Sequence, residues 1–152
     1  MAETAATQTG THPGIRVFVY GTLKSGHSNA GALRGADYLG RCRLTGGHKL
    51  VDLGFYPGLV MDPNPKAEQR TVLGEVYRIS REQLAVLDMI EGHPDYYARM
   101  KVTTPWKGAW AYYLPTAYLD AREPVESVDG IQVWRPTDEE IAYVRNCASA
   151  GE

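Results

Sequence analysis

The sequence predicts an α+β fold: a small, mostly antiparallel β-barrel carrying a few short helices. Seven segments are rich in β-branched and aromatic residues and are separated by Gly, Pro, Asn and Asp. Only two longer stretches combine helical spacing of apolar residues with capping signals. The chain has 152 residues, which suits one domain with one core and one site.

In chain order, Met1 to Gly14 offers only Met and Ala as apolar residues and predicts a disordered tail over 1–14. Ile15, Val17 and Val19 then alternate with Arg16, Phe18 and Tyr20, a β-branched run stopped by Gly21. The following TLKSGHSNAGALRG is first rich in Gly, Ser and Asn and then gains Ala30 and Leu33, so it reads as a loop running into a short helix. Strand chemistry returns in ADYLGRCRL, HKLVDL, FYPGLVM, TVLGEVYRI, ARMKVTTPW and GAWAYYL. Asp62 to Gln69 holds two prolines and three charges and reads as an exposed hairpin loop. Ser80 opens a helix: Gln83 completes a capping box, Leu84, Leu87 and Ile90 share a face, and Gly92 can end it. Thr137 caps a second helix to Cys147, with acidic residues in its first turn and Ile141, Val144 and Cys147 at helical spacing. The expected organisation is one domain over 15–147, followed by a short tail at 148–152.

Composition excludes several classes of function. Sixteen Lys and Arg stand against eighteen Asp and Glu, a net charge of −2 with no long run of either sign, so neither nucleic acid nor membrane is the expected partner. The tail lacks the basic and apolar regions of a signal peptide, which makes a cytoplasmic location the expectation. Two cysteines, Cys42 and Cys147, are too few for a disulfide framework, and four scattered histidines give no ligand cluster, so neither a structural metal nor a disulfide is expected. Ten Tyr stand against two Phe, and a phenol joins an apolar body to a hydroxyl, as a pocket for a small polar ligand requires. Strand packing accounts for such tyrosines equally well.

Three features can carry chemistry. Tyr20-Gly21-Thr22-Leu23-Lys24-Ser25-Gly26 takes a strand into a Gly-containing loop, where successive N–H groups without a strand partner form a cradle for an anion. Gly21 to Ser28 is also a near miss for a phosphate loop, because His27 stands where lysine is required. Glu91 lies at a helix C-terminus beside Met89 and Ile90; the helix dipole and burial both raise a carboxyl there toward use as a base near neutral pH. Tyr112 and Tyr113 alternate on one strand, so only one of them faces the interior, and Tyr118 follows. Lys24 and Arg99 could meet a substrate carboxylate, although structural ion pairing explains them as well.

Together, VFVYGTLKSGHSN, the LGEVYRI strand, LAVLDMIEG followed by YYAR, and the late AWAYYL strand resemble the gamma-glutamylcyclotransferase-like superfamily over roughly residues 15–120. The segment DLGFYPG is similar to its bacterial members, and YGTLKSGHSN with IEGHPDYYAR is similar to its gamma-glutamylamine cyclotransferases. The resemblance implies a short β-barrel whose cavity takes the γ-glutamyl group of a small-molecule substrate and releases it as 5-oxoproline. It further implies that Tyr20, Gly21, Thr22 and Leu23 line the site, that Glu91 is the catalytic acid/base, and that Tyr113 and Tyr118 contact substrate. One carboxylate can take the proton of the attacking amine and return it to the leaving amine, and intramolecular attack needs no cofactor. A non-catalytic binding module using the same cavity, and an amide hydrolase yielding glutamate, are the competing readings. A monomer or weak homodimer is expected. Residues after Leu119 match the superfamily only loosely.

Overall fold

The computed structural model describes residues 15–64, 70–115, 118 and 123–149. The tail expected at 1–14 lies outside the described residues, as do 65–69 of the hairpin loop and 150–152 of the expected C-terminal tail. All seven strand segments form: β1 Arg16–Val19, β2 Asp37–Thr45, β3 His48–Asp52, β4 Pro57–Met61, β5 Thr71–Arg78, β6 Ala98–Thr104 and β7 Lys107–Tyr113. The short helix after the first loop is a 3-10 turn, Ala30–Leu33. The two longer helices are α1, Arg81–Glu91, and α2, Asp138–Ser149, which continues past the expected end at Cys147. None of these helices is long and apolar enough to cross a membrane.

The architecture is mixed α+β around one large sheet with the order β6-β7-β1-β5, and β2 on the other edge of β5. The β1–β5, β2–β5 and β6–β7 ladders are antiparallel, whereas β1 and β7 run parallel. β3 and β4 form a separate antiparallel pair, tied to the main sheet region by a bridge from Val60 to Leu114. No ladder joins β2 to β6 among the described residues, so the closed barrel expected from the sequence is not seen in the pairing. The turn between β6 and β7 instead lays the Trp106 indole against Gly40 of β2, 2.8 Å from where a Cβ would stand, beside a bulge in β2.

The sequence reading missed two short strands, β8 Ser127–Val128 and β9 Ile131–Gln132. Asp129 and Gly130 turn between them with φ of 50° and 86°, the positive pair that a tight two-residue hairpin needs. β9 runs beside Val72 of β5, on the edge that β1 occupies further along that strand.

Strand alternation divides the core. Val17 and Val19 of β1 pack in one cluster with Leu87 and Tyr112, while Phe18 and Tyr20 pack in the other with Leu59 and Val76. Leu87 is wholly buried, which holds the α1 helix against the sheet and stabilises it by roughly 2 kcal/mol. The α1 boundaries follow from its caps: Ser80 accepts from the Gln83 N–H, Gln83 answers to Ser80, and Gly92 ends the helix at φ 70°. The sheet and this helix meet where β1 ends, and the cavity lies there.

Candidate active site

The loop after β1 is built from side chains buried beneath it. Tyr20 sends its hydroxyl through the core, donating to the Tyr112 carbonyl at 2.8 Å and accepting from the Leu59 N–H at 3.1 Å. Gly21 must lack a side chain, because a Cβ there would stand 2.6 Å from Cγ of Pro57. Beyond it the Lys24 N–H donates to the Gly21 carbonyl and the Asn29 N–H to the Thr22 carbonyl. Glu75, buried in β5, accepts from both the Ser25 N–H and the Ser25 hydroxyl at 2.9 Å, and from the Tyr77 hydroxyl at 2.8 Å. Lys24 is wholly buried and reaches Glu140 of α2 at 2.7 Å and the Trp134 carbonyl at 2.8 Å. A buried charge of this kind needs its partner, so Lys24 acts as an anchor of the loop and not as a substrate ligand. The N–H groups of Gly21, Thr22 and Leu23 find no acceptor among the described residues. All three residues line the cavity.

From the other side comes the end of α1, where two carboxylates one turn apart are driven in opposite directions. Asp88 accepts from Arg99 Nε at 2.7 Å and Nη2 at 3.0 Å, and from the Tyr112 hydroxyl at 2.6 Å. The Arg99 hydrogen bonds come first in holding its carboxyl below the usual range. Arg99 is therefore committed to Asp88, and its guanidinium lies 4.7 Å from the Trp110 ring centre. Glu91, the last residue of the helix, has no such cation among the described residues; burial pushes its carboxyl up to about 7. Environments that separate two neighbouring carboxyls in this way leave one ionised and paired, and the other free to exchange a proton near neutral pH.

The cavity has a volume of about 400 Å³, within the range for small-ligand sites. It brings together Tyr20, Gly21, Thr22, Leu23 and Glu91 as the sequence reading expected. Tyr113 is not among the lining residues: it lies on the face of β7 that packs with Met100 and Trp106, and the alternation of the strand gives the cavity Tyr112 instead. Tyr118 is not among the lining residues either; its ring lies 6.4 Å from that of Tyr96, which is. The sequence reading missed the aromatic wall of Phe55, Tyr56, Tyr96 and Tyr97. Tyr97 is buried and donates to the Pro57 carbonyl, and the Tyr56 and Tyr96 hydroxyls meet at 3.0 Å. FYPG and YYAR, already part of the resemblance, held these residues; what they lacked was any spacing that joins a turn at 53–56 to a strand start at 98. Among the described residues, no group of three or more His, Cys, Asp or Glu comes together as a metal site would require. Cys42 is buried, which pushes its thiol up to about 11, away from nucleophilic use.

Comparison with known proteins matches the chain to a family. The family model described as "Gamma-glutamyl cyclotransferase, AIG2-like" matches residues 17–142. The gamma-glutamylcyclotransferase family protein YtfP of Escherichia coli is 36% identical over 115 residues, covering 76% of this chain and 95% of its own. Its solution structure superposes with a TM-score of 0.53 at 33% identity, covering 82% of this chain and 99% of that one. An AIG2-like protein from Mus musculus superposes with a TM-score of 0.60 at 25% identity, covering 82% of this chain and 97% of that one. With the loop after β1, the carboxyl at the end of α1 and the aromatic wall all inside the matched region, the chain belongs to the gamma-glutamyl cyclotransferase, AIG2-like family.

Proposed function

We propose that this protein is a γ-glutamyl cyclotransferase that releases 5-oxoproline from a γ-glutamyl amine or γ-glutamyl amino acid, with Glu91 as general acid and base. One observation carries the reading: a half-buried carboxyl raised to about 7 shares a cavity with three N–H groups that have no acceptor among the described residues. Those donors suit the substrate α-carboxylate or the oxyanion that forms at the γ-carbon. Glu91 takes a proton from the substrate α-ammonium, and the neutral α-nitrogen attacks the γ-carbonyl carbon and closes a five-membered ring, its surplus second proton passing to solvent. As the tetrahedral adduct collapses, the bond from the γ-carbon to the leaving nitrogen breaks, and Glu91 returns the proton to that nitrogen. Products are 5-oxoproline and a free amine, and no water is consumed. Because nucleophile and electrophile belong to one molecule, holding the folded-back conformer supplies much of the acceleration.

The test is mass-spectrometric detection of product from a panel of γ-glutamyl amines, γ-glutamyl dipeptides and glutathione, with Glu91→Gln beside the native protein. Formation of 5-oxoproline that the variant loses is the expected result. Glutamate in place of 5-oxoproline would identify a hydrolase, and binding without any product would identify a binding module.

A further inference from the structure

The cavity mouth differs from its floor. Phe55 is 86% exposed, Ile90 42% and Tyr96 38%, and all three belong to the cavity lining. They arrive from three separate elements: the turn between β3 and β4, the last turn of α1, and the segment before β6. Single exposed apolar residues are ordinary, but three converging on one opening form a surface that a ligand can cover. The turn that presents Phe55 is braced on every side. The Leu53 N–H donates to the Tyr56 carbonyl at 2.9 Å, the Gly54 N–H to Asp52 at 2.8 Å, and Arg135 to the Gly54 carbonyl at 2.8 Å. Phe55 is thus held out at the mouth by a fixed platform.

Charge adds a second, independent constraint. Among the described residues, Glu91 is the sole carboxylate lining the cavity, and no Lys, Arg or His lines it. The nearby cations are committed elsewhere: Lys24 to Glu140, Arg99 to Asp88, and Arg135 to the back of the turn with its guanidinium 4.7 Å from the Trp134 ring centre. A leaving group with its own carboxylate would bring a further anion toward Glu91 with no cation among the described lining residues to meet it.

Building on the proposed cyclotransferase reading, we infer that Phe55, Ile90 and Tyr96 select the leaving group, and that the preferred substrates are γ-glutamyl conjugates of apolar amines without a carboxylate. The loop after β1 and Glu91 serve the glutamyl half, which all substrates share. Discrimination therefore resides at the mouth.

Three conjugates test this: γ-glutamyl-phenethylamide, γ-glutamyl-methylamide, which lacks the apolar tail, and γ-glutamyl-phenylalanine, which adds a carboxylate. The expected kcat/KM for the phenethylamide exceeds that for each of the other two by about tenfold or more, the scale on which apolar contacts discriminate. In Phe55→Ala the ratio of phenethylamide to methylamide falls by about fivefold or more, and Phe55→Leu restores most of it. Thermal melts establish that each variant is folded, and if Phe55→Ala does not fold, the two native ratios decide. Equal kcat/KM values across the three conjugates, or a preference for γ-glutamyl-phenylalanine, would overturn this inference while leaving the cyclotransferase reading intact. Absence of 5-oxoproline from all three would overturn both.

Discussion

Burial holds the Glu91 carboxyl at about 7 against an ordinary value of 4.5, and the sign of that displacement makes Glu91 a liability to the fold. A raised acid binds its proton more tightly in the folded state than in the unfolded one. Between about 4.5 and 7 the folded protein therefore holds more protons, and its stability falls as pH rises through that window. Glu91→Gln removes the charge and keeps the shape, so it removes the pH-dependent penalty. Integrating the linkage relation, the penalty is about 1 kcal/mol at pH 5 and about 3 kcal/mol at pH 8, so the variant gains about 2 kcal/mol over native between these pH values. For a chain of this size the gain is roughly 4–8 °C in Tm. Urea denaturation of both proteins at pH 5 and pH 8 measures it directly, and subtracting the two curves cancels every other titrating group. A stability difference that does not change with pH, or a variant that loses ground at pH 8, would refute the placement of this carboxyl in a desolvating cavity.

The same carboxyl fixes the pH profile of turnover: kcat/KM should fall about tenfold per pH unit on the acid side of about 7, and a limb that begins near 4.5 would remove Glu91 from the role of base. Arg99→Lys replaces a two-point contact with Asp88 and a stack over Trp110 by a single point charge, which should cost about 1–2 kcal/mol in chemical denaturation. Gly21→Ala forces a methyl to within 2.6 Å of the Pro57 ring, a rigid neighbour, so destabilisation of about 1–3 kcal/mol and a lowered kcat/KM should appear together in a melt and a steady-state assay.

Local rules made most of the fold legible. The seven strand segments, the Ser80–Gln83 capping box and the Gly92 stop each depend on residues within a few positions of one another. The β8–β9 hairpin was equally local, since Asp129-Gly130 is a strong turn pair, but its strands have two residues each and show no alternation to read. Closure of the sheet was not legible, because whether β2 and β6 pair depends on where the Trp106 indole falls, a contact between residues 66 apart in sequence. Within the site, the loop at 20–23 and Glu91 were found through motif resemblance and end-of-helix chemistry. The choice between Tyr112 and Tyr113 required the register of β7, and the aromatic wall required the packing of a turn against a strand start.

The arrangement explains why one helix end can hold two carboxyls with separate tasks. Residues 88 and 91 lie on one face of α1, one turn apart, so without other charges each would raise the other. Arg99, on β6 directly after the aromatic wall, meets only the earlier carboxyl, and Tyr112 from β7 donates to the same group. Asp88 is thereby ionised and satisfied, and its hydrogen bond fixes the tyrosine that lines the cavity. Glu91 is left at the helix end with burial alone acting on it. Beneath the loop, Glu75 binds Ser25 to the sheet and the Lys24–Glu140 pair binds the loop to α2, so these charges are met within the fold. Among the described residues, Lys24, Glu75, Asp88, Arg99 and Glu140 are thus tied up within the fold, and Glu91 is the carboxyl of the cavity that burial raises.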